Sequence, residues 1–216
     1  MIGVSQNPFE VWFKSSPYDP DLVDASAVTK YFARRNLSFQ ADEPALCNFR
    51  FCRDKENTRL IFALKDENNR LAGILNTYIA PSGAYLSTGW KILRSPEHFH
   101  ATCTVRFNEE SEVICLTRAV DSALVIAVAT GLSTVATLTP EMMERFVPSE
   151  RVKFVIALPQ SPEEKTASEN LKKRLEASHR HLCAAAVLEP PRRFHNWVEA
   201  FSTLGLEALP SVQVLS

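Results

Sequence analysis

The side chains able to do chemistry in this chain are few, and their positions limit what it can catalyse. An apolar run, Val113-Ile114-Cys115-Leu116-Thr117, ends in Arg118-Ala119, and another, Val152 to Leu158, ends in Pro159-Gln160-Ser161. In sheets built from βαβ units, functional groups gather at these carboxyl ends of the strands. Here the ends carry a guanidinium and neutral groups, not the paired carboxylates that would hold a hard divalent cation. The nearest acids are Asp121, Glu163 and Glu164. Asp121 falls in the first turn of a helix, and Ser161-Pro162-Glu163-Glu164 is a capping box with proline at N1. The helix dipole favours acids in first turns, so capping accounts for all three without a metal. Displaced metal ligation by Asp121, Glu163 or Glu164 is the alternative.

The remaining reactive types do not assemble. His98 and His100 share one face of a strand and Cys103 follows, but no fourth ligand is identifiable for a zinc site. His179 and His181 lie between a helix and a strand, where exposure is expected. The five cysteines (Cys47, Cys52, Cys103, Cys115, Cys183) are odd in number and lack paired metal-ligand spacing, which suits buried reduced thiols of a cytosolic protein. Six glycines do not cluster into a phosphate loop, and no nucleophile elbow is present. No catalytic residue, metal or cofactor is expected. The basic residues Arg34, Arg35, Lys91, Arg94, Arg118, Lys172, Lys173, Arg174, Arg192 and Arg193 could line a groove for nucleic acid or another anion. Trp90 or Trp197 would stack on the bases of a single strand. A solvated helix face is the plain alternative for such charges.

The elements that must position these groups follow from periodicity. Residues 1–24, rich in proline and aromatics, read as an extended arm that pins Trp12 and Phe13 onto the body. A helix over about Ala27 to Arg35 is capped by Asp24 or Ser26. Strands follow near Asn48 to Phe51, Leu60 to Leu64, Ala72 to Ile79, Lys91 to Leu93 and Thr102 to Phe107, the second and third forming a hairpin across Lys65 to Arg70. From Val113 the pattern becomes strand, helix (Ala119 to Thr130), strand (Ser133 to Leu138), short helix (Glu141 to Val147) and strand (Val152 to Leu158). A long helix to about Ser178, a strand (His181 to Leu188) and a last helix (Asn196 to Leu204), stopped by Gly205, complete the chain. The expected fold is α/β: a four-stranded parallel sheet flanked by helices over 110–216, preceded over 25–109 by a small antiparallel sheet with one helix.

With 216 residues and a 45% hydrophobic content the chain can bury a substantial core. Twenty-four basic against 25 acidic residues leave a formal charge of −1, so bulk charge does not attract nucleic acid and any such contact is local. No signal-like segment opens the sequence and no run is long enough to span a membrane, which points to a soluble cytoplasmic protein without membrane partners.

The order of these elements resembles the Toprim domain shared by topoisomerases and DnaG-type primases, in the variety found in primase-like proteins of plasmids, phages and conjugative elements. Tyr31-Phe32-Ala33-Arg34-Arg35-Asn36-Leu37 is similar to their Y-L-x-x-R-G-L. Thr77-Tyr78-Ile79-Ala80-Pro81-Ser82-Gly83 is similar to T-Y-L-D-P-D-G, Lys91-Ile92-Leu93 to a basic strand before Toprim, and Leu124 to Leu138, through Ala129-Thr130-Gly131-Leu132, to A-x-A-T-G-L-P-V-x-A-x-L. The likeness runs from about residue 26 to 205. It implies a Mg²⁺- or Mn²⁺-binding site made of a glutamate followed by glycine after the first strand and Asp-x-Asp after the third. Those positions fall on Arg118 and Ala119, and on Pro159 and Ser161, while a later acidic position falls around Arg193-Phe194-His195-Asn196. The resemblance therefore implies a degenerate Toprim relative whose metal site has turned from negative to positive.

Two functions follow as expectations. One is a catalytically inactive interaction or adaptor subunit, held by a protein partner in a mobile-element, conjugation, secretion or anti-defence setting. The other is a non-catalytic nucleic-acid-binding accessory of replication or DNA transfer. An active enzyme with a relocated site is the third reading.

Overall fold

The structure is a computed structural model that describes residues 7–39, 44–54, 56–86, 90–98, 103–178 and 183–209. The chain divides between Val105 and Arg106 into two compact units.

The first unit is built on five strands in the order β1-β2-β3-β4-β5: β1 (Ser16–Pro17), β2 (Phe49–Asp54), β3 (Asn57–Lys65), β4 (Leu71–Ile79) and β5 (Lys91–Arg94). Every neighbouring pair is antiparallel. The β3–β4 hairpin turns on Asp66, whose Oδ1 accepts the backbone N–H groups of Asn68 and Arg70 at 3.0 and 2.8 Å. Asn69 takes the left-handed conformation there, which asparagine tolerates. One face of the sheet packs Phe49 and Phe62 against Phe32 of helix α2 (Ser26–Ala33), with Tyr18 and Phe39 completing an edge-to-face aromatic cluster. The other face buries Trp12 on Ile61, Ala63 and Ile74. Cover on both faces explains why Leu60 to Leu64 is continuously apolar and does not alternate.

Two expectations for the N-terminal segment are corrected. The arm is not extended throughout, because Pro8–Lys14 forms helix α1, capped by the Asn7 side chain with proline in its first turn. Successive helical residues point about 100° apart, so burying Trp12 leaves Phe13 72% exposed. Neither Asp24 nor Ser26 caps α2; a 3₁₀ turn, Val23–Ala25, leads into it and no side chain caps its first residue. Asp24 instead pairs with Arg53 at 3.0 Å.

The second sheet has five strands in the order β10-β9-β7-β8-β6: β6 (Val105–Phe107), β7 (Val113–Thr117), β8 (Ser133–Ala136), β9 (Phe154–Ala157) and β10 (Ala184–Val187). The pairs β7–β8, β7–β9 and β9–β10 are parallel, so the expected four-stranded parallel sheet is present. The fifth strand is β6, which its place in the sequence assigns to the first half. Residues 99–102 and 179–182, and with them His100, His179, His181 and the start of two expected strands, lie outside the described residues.

Helix α3 (Val120–Thr130) buries Val120 and every residue from Ser122 to Ala127, as expected of a helix apolar nearly all round. It ends on Gly131, left-handed at φ 68°. On the other sheet face, Ile114, Leu116, Val135 and Val155 pack with Met143 of α4 (Pro140–Glu144) and with Ala167, Leu171 and Leu175 of α5 (Pro162–Ala177). Helix α6 (Trp197–Leu204) buries Trp197, Ala200 and Phe201, and Gly205 does not end the helical path, since a 3₁₀ turn continues to Ala208.

Among the cysteines, Cys103, Cys115 and Cys183 are buried, and burial pushes the Cys115 thiol up to about 12. Cys47 is exposed and Cys52 half-buried, which departs from the uniformly buried reading.

Candidate functional site

The order β9-β7-β8 sets the carboxyl ends of these strands side by side. Arg118 leaves β7, Ala119 precedes α3 without offering a side-chain cap, and Pro159, Gln160 and Ser161 connect β9 to α5. The positions that the resemblance assigns to a metal site are thus adjacent, and a different arrangement fills them. Arg118 Nε donates to Glu164 Oε1 at 2.5 Å. The Glu164 side chain is only 2% exposed, whereas that of Arg118 is 48% exposed. The second carboxylate oxygen, Oε2, accepts the backbone N–H of Gln160 at 2.9 Å. Gln160 Nε2 in turn donates to Ser122 Oγ at 2.7 Å, tying the start of α3 to the start of α5.

Glu164 was expected to complete a capping box. Half of the box forms: the Glu164 N–H donates to Ser161 Oγ at 3.3 Å. The reciprocal bond is made one residue earlier, to Gln160, which leaves Oε1 for Arg118. The expected reversal of charge at this place is corrected by the same contact, since the guanidinium is answered by a buried carboxylate. A carboxylate this enclosed requires such partners, because an unpaired buried charge costs several kcal/mol. Asp121 stands half-buried in the first turn of α3 and Glu163 is exposed. Among the described residues, no three His, Cys, Asp or Glu side chains converge as metal ligands do.

Sequence reasoning missed two features of this edge. Leu138, just past β8, has φ 71°, a conformation that a residue with a Cβ rarely adopts. Its N–H donates to Arg118 O at 3.0 Å while Thr139 N–H donates back to Thr137 O at 2.9 Å, a three-residue γ-turn. Thr137 N–H and Oγ1 both donate to Thr117 O, so the ends of β7 and β8 are held together next to Arg118. Thr117 Oγ1 itself is buried without a hydrogen-bond partner among the described residues, as is Trp197 Nε1. The region of the later acidic position is a helix start: Glu199 N–H donates to Asn196 Oδ1 at 2.9 Å and His195 N–H to Glu199 Oε2 at 3.0 Å.

The basic residues separate into distinct roles. Arg35 lies 3.8 Å from the Tyr31 ring centroid and 5.2 Å from that of Tyr85, and Tyr85 meets Trp90 edge-on at 6.1 Å. Tyr85 is 38% exposed, Trp90 is half-buried, and Arg34 and Lys91 are exposed, so an aromatic and cationic cluster forms on the first unit. Arg94 is half-buried in β5. On the second unit, Lys172 approaches Glu176 at 3.9 Å, Lys173 is exposed, and Arg192 and Arg193 are exposed beyond β10. Arg174 donates to the carbonyls of Glu144 and Phe146 and so fastens the end of α4; burial lowers its pKa from the ordinary value. Trp197, offered as a stacking partner, is 0% exposed and cannot meet a base. Tyr85 was missed, although its place two residues after Gly83, bridged to Ile79, marks a side chain presented by a turn.

Comparison with protein-family models and with curated proteins finds no match. Solved structures do match. The DnaG catalytic core superposes with a TM-score of 0.57 at 14% identity over 87% of this chain and 72% of that one. A DNA primase domain from Pseudomonas aeruginosa superposes with a TM-score of 0.50 at 13% identity over 77% of this chain and 53% of that one. The primase fragment of the bacteriophage T7 primase-helicase protein aligns more loosely, with a TM-score of 0.46 at 11% identity over 70% and 61%. The chain thus spans between about half and about three-fifths of the length of the latter two. The fold is the primase-like, Toprim-containing one, with an antiparallel sheet followed by a mostly parallel sheet flanked by helices.

Proposed function

We propose that this chain is a primase-fold protein that acts by binding and not by metal-dependent phosphoryl transfer. The observation that carries this reading is the bonded chain Arg118–Glu164–Gln160–Ser122, which fills the strand ends where the resemblance expects free carboxylates. Phosphoryl transfer needs unengaged acids that bring a divalent cation to the reacting phosphate. Glu164 has both oxygens in use, and a guanidinium stands in the leading position. The partner is a protein, and the setting is an adaptor role in a mobile-element, conjugation, secretion or anti-defence assembly. Phe13, solvent-exposed on a helix whose neighbouring Trp12 is anchored in the core, supports an aromatic contact point for that partner. The test is affinity co-purification of the tagged full chain from its native host. A stoichiometric protein partner that is lost in Phe13→Ala supports the reading, and recovery of nothing but nucleic acid contradicts it.

A second reading, non-catalytic nucleic-acid binding, is favoured by the cluster of Arg35, Tyr85 and Trp90 with Lys91 beside it. Partly exposed aromatics next to cations are what single-stranded nucleic acid stacks on. Stacking is worth about 1 kcal/mol or more per base, so on this reading Tyr85→Ala weakens oligo(dT) binding by about fivefold or more. Fluorescence anisotropy at low salt measures it, with affinity falling steeply as salt rises. Wild-type protein that leaves the anisotropy unchanged at low salt removes the second reading.

A further inference from the structure

Among the described residues, four strands close the two sheets, and three of them discourage further pairing. β1 is two residues long and ends in Pro17, β5 is bracketed by Lys91 and Arg94, and β6 is three residues with Val105 and Phe107 fully buried. Short length, proline and charge are the usual guards of a sheet edge. β10, four residues long, has neither proline nor charge within it. It reads Ala184-Ala185-Ala186-Val187, pairs with β9 in an unbroken parallel register, and is only partly buried. Ala184 N–H donates to Lys153 O at 2.9 Å and Leu188 N–H to Ala157 O at 3.0 Å, so the even-numbered residues face β9. In a parallel ladder the N–H and C=O of alternate residues point together to one side. Those of Ala185 and Val187 therefore point away from the sheet, where no described strand lies.

We propose that a second copy of this chain pairs here, β10 antiparallel to β10, about a twofold axis through Ala186. A strand edge is self-complementary under twofold symmetry. The register centred on Ala186 sets Ala185 opposite Val187 and Cys183 opposite Glu189, so each outward-pointing backbone group in that run meets one. Ala186 then faces Ala186 at the axis, a non-hydrogen-bonded pair where Cβ atoms approach to about 4.5–5.5 Å and a methyl group fits. The one charged residue of the run, Glu189, meets no like charge and is already paired with Lys165. Beyond it Pro191 has no N–H to offer, which ends the ladder. A strand from another protein would find neither a charge nor a large side chain on Ala184 to Val187 to select it, whereas self-pairing needs neither.

A ladder this short buries less than a standard stable interface, so the dimer forms with a dissociation constant on the order of 10 micromolar. Sedimentation velocity of the full chain, from about 1 to 100 micromolar, reads it. Ala186→Lys and Ala186→Glu each place like charges face to face and should each stay monomeric, while an equimolar mixture of the two should dimerise again. Val187→Pro removes an outward N–H without touching the bonds to β9 and should weaken association at least tenfold. Melting curves establish that each variant is folded, and Val187→Pro carries the test should the charge variants unfold. Wild-type protein that stays monomeric at the highest concentration overturns the proposal. Charge variants that dimerise as wild type does, or a mixture that remains monomeric, overturn it as well.

Discussion

Replacing Arg118 by alanine lowers the stability of the protein by about 2–3 kcal/mol, measured as a shift in the urea midpoint at unchanged slope. The loss is large because Glu164 stays behind, nearly wholly enclosed, with one oxygen stripped of its partner. Truncating one member of a fully buried pair costs about 3–5 kcal/mol, and the half-exposed guanidinium lets water reach the vacated place and trims that figure. The double variant Arg118→Met, Glu164→Gln removes both charges, keeps an acceptor for the Gln160 N–H, and should recover most of the loss. A cost for Arg118→Ala below about 0.5 kcal/mol would class the contact with ordinary surface ion pairs and remove its role in holding the strand ends.

The second large effect lies in the first unit. Gly83 has φ 78°, and a Cβ placed on it would stand 2.5 Å from Tyr31 N and 2.7 Å from the Lys30 carbonyl carbon. Both are backbone atoms of α2, so no side chain can swing aside, and the helix that carries Tyr31 and Phe32 must move. Gly83→Ala should cost about 3 kcal/mol or more, combining a left-handed backbone with a main-chain clash. Gly131→Ala is the control: its φ is 68°, but nothing lies within 4 Å of the added methyl. Its cost is that of the backbone conformation, about 1–2 kcal/mol. Equal losses at the two positions would show that the approach of α2 to the Gly83 turn contributes nothing.

The parts of the fold that were legible in the sequence are those where burial leaves a periodic mark. Leu60 to Leu64 and Val113 to Thr117 are apolar because both faces of their sheets are covered, and Thr139-Pro140 and Ser161-Pro162 announce helix starts through their own hydroxyls. Helix α1 was hidden because a two-turn helix that buries Trp12 and leaves Phe13 in water has the same composition as an extended aromatic arm. β6 has three residues, too few to declare which sheet it joins. At the candidate site the positions Arg118, Ala119, Pro159 and Ser161 could be named from spacing. The contact that gives them meaning could not, since Arg118 and Glu164 are 46 residues apart and capping already explained the acid. Leu138 carries no signal at all, because its left-handed conformation is imposed by the bonds from Thr137 to Thr117 and from Leu138 to Arg118. That Trp197 cannot stack on a base is not legible either, because an amphipathic last helix does not disclose how deeply its aromatic side is buried.

The strand ends of the parallel sheet hold the Arg118–Glu164 ion pair at the positions that the resemblance assigns to a divalent metal. The most direct measurement is the melting temperature of the full chain during titration with Mn²⁺ and, separately, Mg²⁺. A site occupied at a hundred times its dissociation constant would add about 2.7 kcal/mol, or about 5–10 °C for a chain of this size. No saturable rise is expected with either ion. A saturable rise of that size, abolished in Glu164→Gln, would contradict that expectation and return the site to metal chemistry.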